Sequence, residues 1–123
     1  MRISLTNREA DVMRVLWEQG PCVVAEVRAH LKDDLAYTTV LSILRTLEVK
    51  GYVRHSQEGR SHRYFARVKE EAARKSALKH LTDKLFNESY ELIYAHLVSD
   101  GKLAPEQIER LRELLAARAR DQE

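Results

Sequence analysis

The sequence predicts a mainly α-helical fold with a small β wing. Three segments with helical periodicity come first, two strand-like segments flank Glu58-Gly59, and helical periodicity alone continues from Lys69. Three helices followed by a hairpin are typical of a winged helix-turn-helix domain. We expect that domain over residues 1–68 and a C-terminal helical region over residues 69–123.

The first helix begins at a capping box, Thr6-Asn7-Arg8-Glu9, in which the threonine hydroxyl accepts a backbone N–H and the glutamate reaches back. Gly20-Pro21 ends this helix. A short extended run follows over residues 22–24, and a second helix continues to Asp33-Asp34.

The third helix is predicted to begin between Tyr37 and Thr39 and to end at Lys50, with Gly51 in the left-handed conformation after its end. If one stripe of this helix is buried, short polar side chains and a guanidinium occupy the opposite face. The stripe expected to face the core is Val40, Ile43, Leu44 and Leu47. The side chains expected to face outward are Thr38, Leu41, Ser42 and Arg45.

The wing is predicted from alternating β-formers on both sides of a glycine turn. Gly59 permits the tight turn, and Arg60 occupies its tip, with His62 and Arg63 following. The aromatic residues of the hairpin, Tyr52, Tyr64 and Phe65, are interpreted as packing residues.

The C-terminal region contains short amphipathic helices that cannot enclose a core of their own. Gly101 breaks the pattern, and Pro105 suits the first position of a final helix. A second copy of the chain is the favoured partner for these helices, and the alternative is that they fold back on the winged domain. The residues assigned to dimerisation are Leu78, Leu81, Leu85, Phe86, Leu92, Ile93, Leu97, Ile108, Leu111 and Leu115.

Positive charge is concentrated where the third helix and the wing are predicted. Residues 37–67 hold six basic and two acidic residues, although the whole chain has a formal net charge of only +2. Such a concentration is typical of a surface that contacts phosphates, and a solvated basic face is the alternative.

Other functional classes find little support in the sequence. Cys22 is the single cysteine, and with no signal peptide or membrane span in the sequence we expect a cytoplasmic protein. His55, Glu58 and His62 form only a weak metal candidate, because they share a hairpin tip and lack a fourth ligand. Nucleophile, phosphate-loop and paired-carboxylate motifs are missing, so we expect no enzyme, no cofactor and no resident metal.

Several groups of residues along nearly the whole chain resemble the penicillinase repressor family, the BlaI/MecI type of transcriptional regulator. They are Leu5-Thr6, Val12-Met13, Leu16-Trp17, Ala36-Tyr-Thr-Thr-Val40, Arg45-Thr-Leu-Glu48, Lys50-Gly51, Gly59-Arg60, Arg63-Tyr64, Lys84-Leu85-Phe86 and Leu103-Ala-Pro-Glu106. The resemblance implies a homodimeric repressor on a palindromic double-stranded operator, with the third helix in the major groove and the wing beside the backbone.

The resemblance also implies relief of repression by cleavage in the C-terminal region, with a membrane-bound sensor protease or a protease downstream of it as partner. Two features of the family are missing from this sequence. The chain has no Asn-Phe bond, where the best-known members are cut, and it lacks the paired cysteines of the copper-responsive branch.

On this interpretation, hydroxyls and basic side chains of the third helix and the wing bind DNA. The DNA-binding residues predicted are Thr38, Thr39, Leu41, Ser42, Arg45, Arg60, His62 and Arg63. Arg45 suits two hydrogen bonds to a guanine, and its alternative is a surface ion pair with Glu48 or Glu26. Two other functions stay open, a winged-helix module for protein–protein contact and a metal- or redox-responsive regulator.

Overall fold

The computed structural model describes residues 2–122, which form six helices and a three-stranded sheet. The elements in chain order are α1 (Asn7–Gln19), β1 (Cys22–Val23), α2 (Val24–His30), α3 (Tyr37–Val49), β2 (Val53–Glu58), β3 (Ser61–Ala66), α4 (Glu70–Leu85), α5 (Tyr90–Ser99) and α6 (Pro105–Asp121). The predicted mainly α-helical fold with a winged helix is confirmed. No helix within residues 2–122 has both the length and the apolar character that a membrane span requires.

The sheet has the order β1-β3-β2, and both pairings are antiparallel. Glu58 pairs with Ser61, so Gly59 and Arg60 alone form the hairpin loop. Gly59 has φ +60°, which glycine adopts without steric cost, whereas Arg60 does not have a positive φ. A glycine at the first of two loop residues is the pattern of a type II′ hairpin turn.

The core lies between the first three helices and the sheet. Its fully buried side chains include Val12, Met13, Val27, Val40, Leu44, Leu47, Val53 and Tyr64. The prediction for the buried stripe of α3 is confirmed except at Ile43, which is half-buried at the margin of this core. The second helix ends at His30, earlier than expected, because Leu31 has extended backbone angles.

The chain divides into two compact units, with the boundary between Leu78 and Lys79 inside α4. The boundary expected from the sequence, after residue 68, falls earlier. The first unit extends into α4 because Ala73 is buried in its core and the Ser76 hydroxyl accepts the backbone N–H of Ile3 at 2.7 Å.

The predicted capping box of α1 is present, and it also holds the end of α3. The Glu9 carboxylate accepts the Thr6 N–H at 2.8 Å and the Lys50 ammonium at 2.8 Å, although only 5% of Glu9 is exposed. Burial by itself would raise the pKa of the Glu9 carboxyl. The hydrogen bonds from Lys50 and Thr6, with the charge of Lys50, outweigh that effect, so the pKa lies below its usual value.

We predict that Lys50→Met lowers the free energy of unfolding at neutral pH by about 1–3 kcal/mol, because it leaves a buried carboxylate without its cation. Folding lowers the pKa of Glu9 below its ordinary value of 4.5. The stability that this carboxylate gives the folded chain is therefore fully present above pH 4.5 and is lost as the pH falls through the folded-state pKa. The difference in the free energy of unfolding between Lys50→Met and the unmodified chain should therefore become smaller at acidic pH. Urea unfolding followed by Trp17 fluorescence measures it.

The matched control for this prediction is Lys32→Met, which removes an exposed lysine outside the capping box. Equal losses from the two variants, or a loss that does not change with pH, would contradict the role assigned to the Glu9–Lys50 pair.

Candidate nucleic-acid interface

The outward face of α3 follows from the burial of its opposite side. Val40, Leu44 and Leu47 are fully buried, which sets the rotation of the helix about its axis. The residues that this rotation leaves exposed include Thr38, Thr39, Ser42 and Arg45. The structure therefore places four of the predicted contact residues together on one solvent-accessible surface.

Arg45 makes no ion pair with any described residue, and its two candidate partners bind other groups. Both oxygens of Glu48 lie 2.8 Å from Nδ1 of His55. Glu26 accepts the Val23 N–H at 3.0 Å and the Arg63 guanidinium at 3.2 Å. All five N–H donors of Arg45 are thus available to a group outside the chain.

Leu41 is a correction to the predicted outward face, since it is half-buried and packs against the core. A residue three positions before Leu44 lies about 60° from it around the helix axis. Because α3 packs on both α1 and α2, its buried arc is wide enough to include that direction.

The wing presents Arg60 at its tip, where the side chain is exposed and has no ion-pair partner within residues 2–122. The two residues after the turn differ from Arg60 because they are engaged within the chain. His62 is half-buried and stacks on His55, with ring centroids 4.3 Å apart. Arg63 is half-buried and held by two carboxylates and a backbone carbonyl.

The wing contacts α3 through the His55–Glu48 pair, which joins β2 to the last turn of the helix. Sequence analysis missed this contact, because the hairpin register indicates only which side chains meet within the wing. With Gly59 and Arg60 in the loop, His55 and His62 must share a face of the two-stranded ladder.

The weak metal candidate at the hairpin finds no support in this geometry. Glu58 binds Arg63 and His55 contacts Glu48, and the described part of the chain contains no group of three or more histidine, cysteine or acidic side chains placed to hold a metal ion.

The second unit consists of helices whose apolar side chains remain accessible. No residue of α5 or α6 is buried. The large apolar side chains exposed in this unit are Leu81, Leu85, Tyr90, Leu92, Tyr94, Leu97, Val98, Ile108, Leu114 and Leu115. Among the residues assigned to dimerisation, Phe86, Ile93 and Leu111 are half-buried.

Comparison with protein families gives a match to the penicillinase repressor model over residues 5–117, which is most of the chain. The chain belongs to the penicillinase repressor family. The general class of this penicillinase repressor homologue is therefore that of DNA-binding transcriptional repressors. A curated relative, an uncharacterised 16.5 kDa protein of Latilactobacillus sakei, is 29% identical over 117 residues, covering 94% of this chain and 80% of the relative.

Solved structures similar to this penicillinase repressor homologue share its fold. The transcriptional regulator Tm0710 of Thermotoga maritima matches with a TM-score of 0.54 and 21% identity, over 95% of this chain and 78% of that one. BpsR of Bordetella bronchiseptica, whose DNA binding is regulated by 6-hydroxynicotinic acid, matches with a TM-score of 0.52 and 16% identity, over 94% and 80%. MepR of Staphylococcus aureus, a transcription regulator of a multidrug efflux pump, matches with a TM-score of 0.51 and 17% identity, over 98% of this chain and 82% of MepR.

Cys22 of this repressor is buried beside the wing, and its thiol lies 3.3 Å from the Gly20 carbonyl oxygen. Burial and the nearby Glu26 carboxylate raise the pKa of the thiol. A thiol that stays protonated and covered is a poor nucleophile, so this environment suits a packing residue better than a redox sensor.

We predict that Cys22 reacts with Ellman's reagent only as fast as the first unit opens, because the folded chain covers the sulfur. The control is the same chain in concentrated guanidinium chloride, where the single cysteine should react at once. Immediate stoichiometric labelling of the folded protein would favour the redox-responsive alternative instead.

Proposed function

We propose that this chain is a sequence-specific repressor that binds a palindromic operator as a homodimer. The outward face of α3 reads bases in the major groove, and the wing lies along the phosphate backbone. The observation that carries this proposal is the exposed Arg45, which shares a helix face with Thr38 and Ser42 and has no ion-pair partner among residues 2–122. A guanidinium presented in this way suits two hydrogen bonds to the O6 and N7 atoms of guanine.

The polar groups near the start of α3 support the same orientation. Thr38, Thr39 and Ser42 are exposed and carry short hydroxyl donors, which suit phosphates or base edges close to a helix N-terminus. A winged-helix module for protein–protein contact would need a larger apolar patch on this face. Val49, 89% exposed, is one apolar side chain there, and its exposed neighbours Ser42 and Arg45 are polar.

A homodimer is the arrangement that best accounts for the second unit. It exposes more leucines than a helical segment without a partner surface would be expected to expose. A second copy of the chain offers a matching apolar surface. Two linked winged domains bind two half-sites with the second engagement intramolecular. That linkage can raise affinity by about 10²–10⁴-fold without any new contact to DNA.

Repression is relieved, on this proposal, by cleavage of the C-terminal region. The protease is a membrane-bound sensor protease or a protease downstream of it. The end of α5 and the segment after it support this proposal, because Ser99, Asp100, Gly101 and Lys102 are all exposed. Exposed polar segments between helices are common sites of proteolysis. A cut there would divide the dimerisation surface and leave α3 and the wing intact.

We predict that Arg45→Ala weakens binding to the operator by about 1–3 kcal/mol and relaxes the preference at one base pair in each half-site. The operator is first selected by the full chain from a pool of random duplexes. Fluorescence anisotropy then measures affinity for that duplex, for single-base variants of it and for a scrambled duplex over a range of salt concentrations.

The matched control for Arg45→Ala is Arg60→Ala, which removes a guanidinium placed for phosphate contact. This variant should weaken binding to every duplex alike and reduce the slope of log affinity against log salt by about one phosphate per subunit. Equal losses on operator and scrambled DNA with Arg45→Ala would show that Arg45 contacts phosphate and not a base.

We predict that Leu85→Asp and Leu97→Asp make the chain monomeric, because each buries a carboxylate in the proposed interface at a leucine that is 67% or 48% exposed in the single chain. Operator affinity should fall by about a hundredfold or more, while affinity for one isolated half-site should not change. Sedimentation equilibrium and anisotropy measure the two effects.

The control for the leucine variants is Lys102→Asp, which changes the net charge more than either of them but lies between α5 and α6. Dimers that persist in both leucine variants, or monomers that bind the palindrome at full strength, would refute the dimeric arrangement. A second arm replaces residues 99–102 by a protease recognition sequence, and retention of the operator after complete cleavage would refute release by proteolysis.

A further inference from the structure

Arg63 lies in the middle of β3 and donates to acceptors from three other parts of the fold. Its Nε and Nη2 atoms bind the two carboxylate oxygens of Glu58 at 2.5 and 3.3 Å. Its Nη1 atom lies 3.0 Å from the carbonyl oxygen of Pro21 and 3.2 Å from a carboxylate oxygen of Glu26. Four of the five N–H donors of this guanidinium are therefore used within the chain.

Two of the three acceptor residues, Pro21 and Glu26, lie outside the hairpin ladder that pairs β2 with β3. Pro21 precedes β1, which pairs with β3 through only two residues. Glu26 lies in the first turn of α2, where it also accepts the Val23 N–H, and Glu58 is the last residue of β2 before the turn. A planar guanidinium with several fixed donors can hold such elements together in one geometry.

The same contacts neutralise negative charge beside the proposed phosphate-binding surface. Glu58 adjoins the turn that carries Arg60, and its side chain is exposed. The Arg63 guanidinium holds the pKa of the Glu58 carboxyl below its usual range, so this carboxylate stays ionised and paired. Without Arg63, the Glu58 carboxylate beside this turn would carry uncompensated charge and repel the phosphates.

We propose that Arg63 is a positioning residue of the wing, which fixes the hairpin against β1 and α2 and cancels the charges of Glu58 and Glu26, and that it does not bind phosphate itself. This inference rests on the proposed DNA-binding function. It departs from the sequence prediction, in which Arg63 contacts DNA. To bind a phosphate at two points, Arg63 would first have to release one of these acceptors, because only one of its five N–H donors is unused.

A double-mutant cycle in the full-length protein separates the two roles, with Arg63→Gln, Glu58→Gln and the double variant compared on the selected operator. Arg63→Gln alone should weaken binding by about tenfold, which corresponds to about 1.4 kcal/mol. Glu58→Gln should improve binding more in the Arg63→Gln background than in the unmodified protein, because only there is the carboxylate unpaired. The salt slope of Arg63→Gln should equal that of the unmodified protein, in contrast to Arg60→Gln.

Arg63→Lys provides a second and independent comparison. It keeps the positive charge but cannot reproduce the two-point contact with Glu58 together with the contact to Pro21, so it should also bind more weakly than the unmodified protein. Thermal unfolding of each variant identifies any loss that comes from a smaller folded fraction. If Arg63→Gln does not fold, Arg63→Lys carries the comparison.

The opposite set of results would overturn the assignment. Additive effects of Glu58→Gln and Arg63→Gln, a salt slope reduced by about one phosphate per subunit, and full binding by Arg63→Lys would make Arg63 a phosphate ligand. Failure of the unmodified protein to select any duplex would refute the proposed function itself. Normal behaviour of the unmodified protein and of Arg60→Gln, combined with additivity, would refute only the role of Arg63.

Discussion

Burial of one side of α3 is the constraint on which the rest of the first unit depends. Val40, Leu44 and Leu47 are completely removed from water, and together they bury enough apolar area to contribute several kcal/mol. This burial leaves little freedom for rotation of the helix about its axis. The exposed row that includes Ser42 and Arg45 is therefore presented to solvent by the core, without any ligand to organise it.

Polar contacts then fix what surrounds that helix. Lys50 joins its C-terminal end to the Glu9 carboxylate of the α1 capping box. Glu48 binds His55 of the wing, and Arg63 holds the wing to the segment before β1 and to α2. Such contacts stabilise the unit only modestly where they are exposed. Their larger effect is to orient the exposed basic side chains relative to one another.

The second unit follows a different principle, because its helices expose their apolar side chains instead of enclosing them. Leu85 and Leu114 are each about two-thirds exposed, at 67% and 65%, which a segment of this size does not sustain alone in water. Under the proposed function, the unit provides the linkage between two copies of the chain. Recognition of DNA and control of that recognition would then be carried by separate parts of one short sequence.

The local pattern of the sequence determined the helices, a wing turn at Gly59 and the exposed position of Arg45, although the turn comprises Gly59 and Arg60 and not the expected Glu58 and Gly59. Capping residues, glycines and apolar periodicity act over a few residues and can be recognised without tertiary information. The structure alone decided that Leu41 packs against the core and that Arg63 is held within the chain. The partners of Arg63 include residues about forty positions away, and packing of three elements brings them together. Periodicity specifies which way a side chain leaves its own helix or strand, whereas the groups that meet it there depend on how the elements pack.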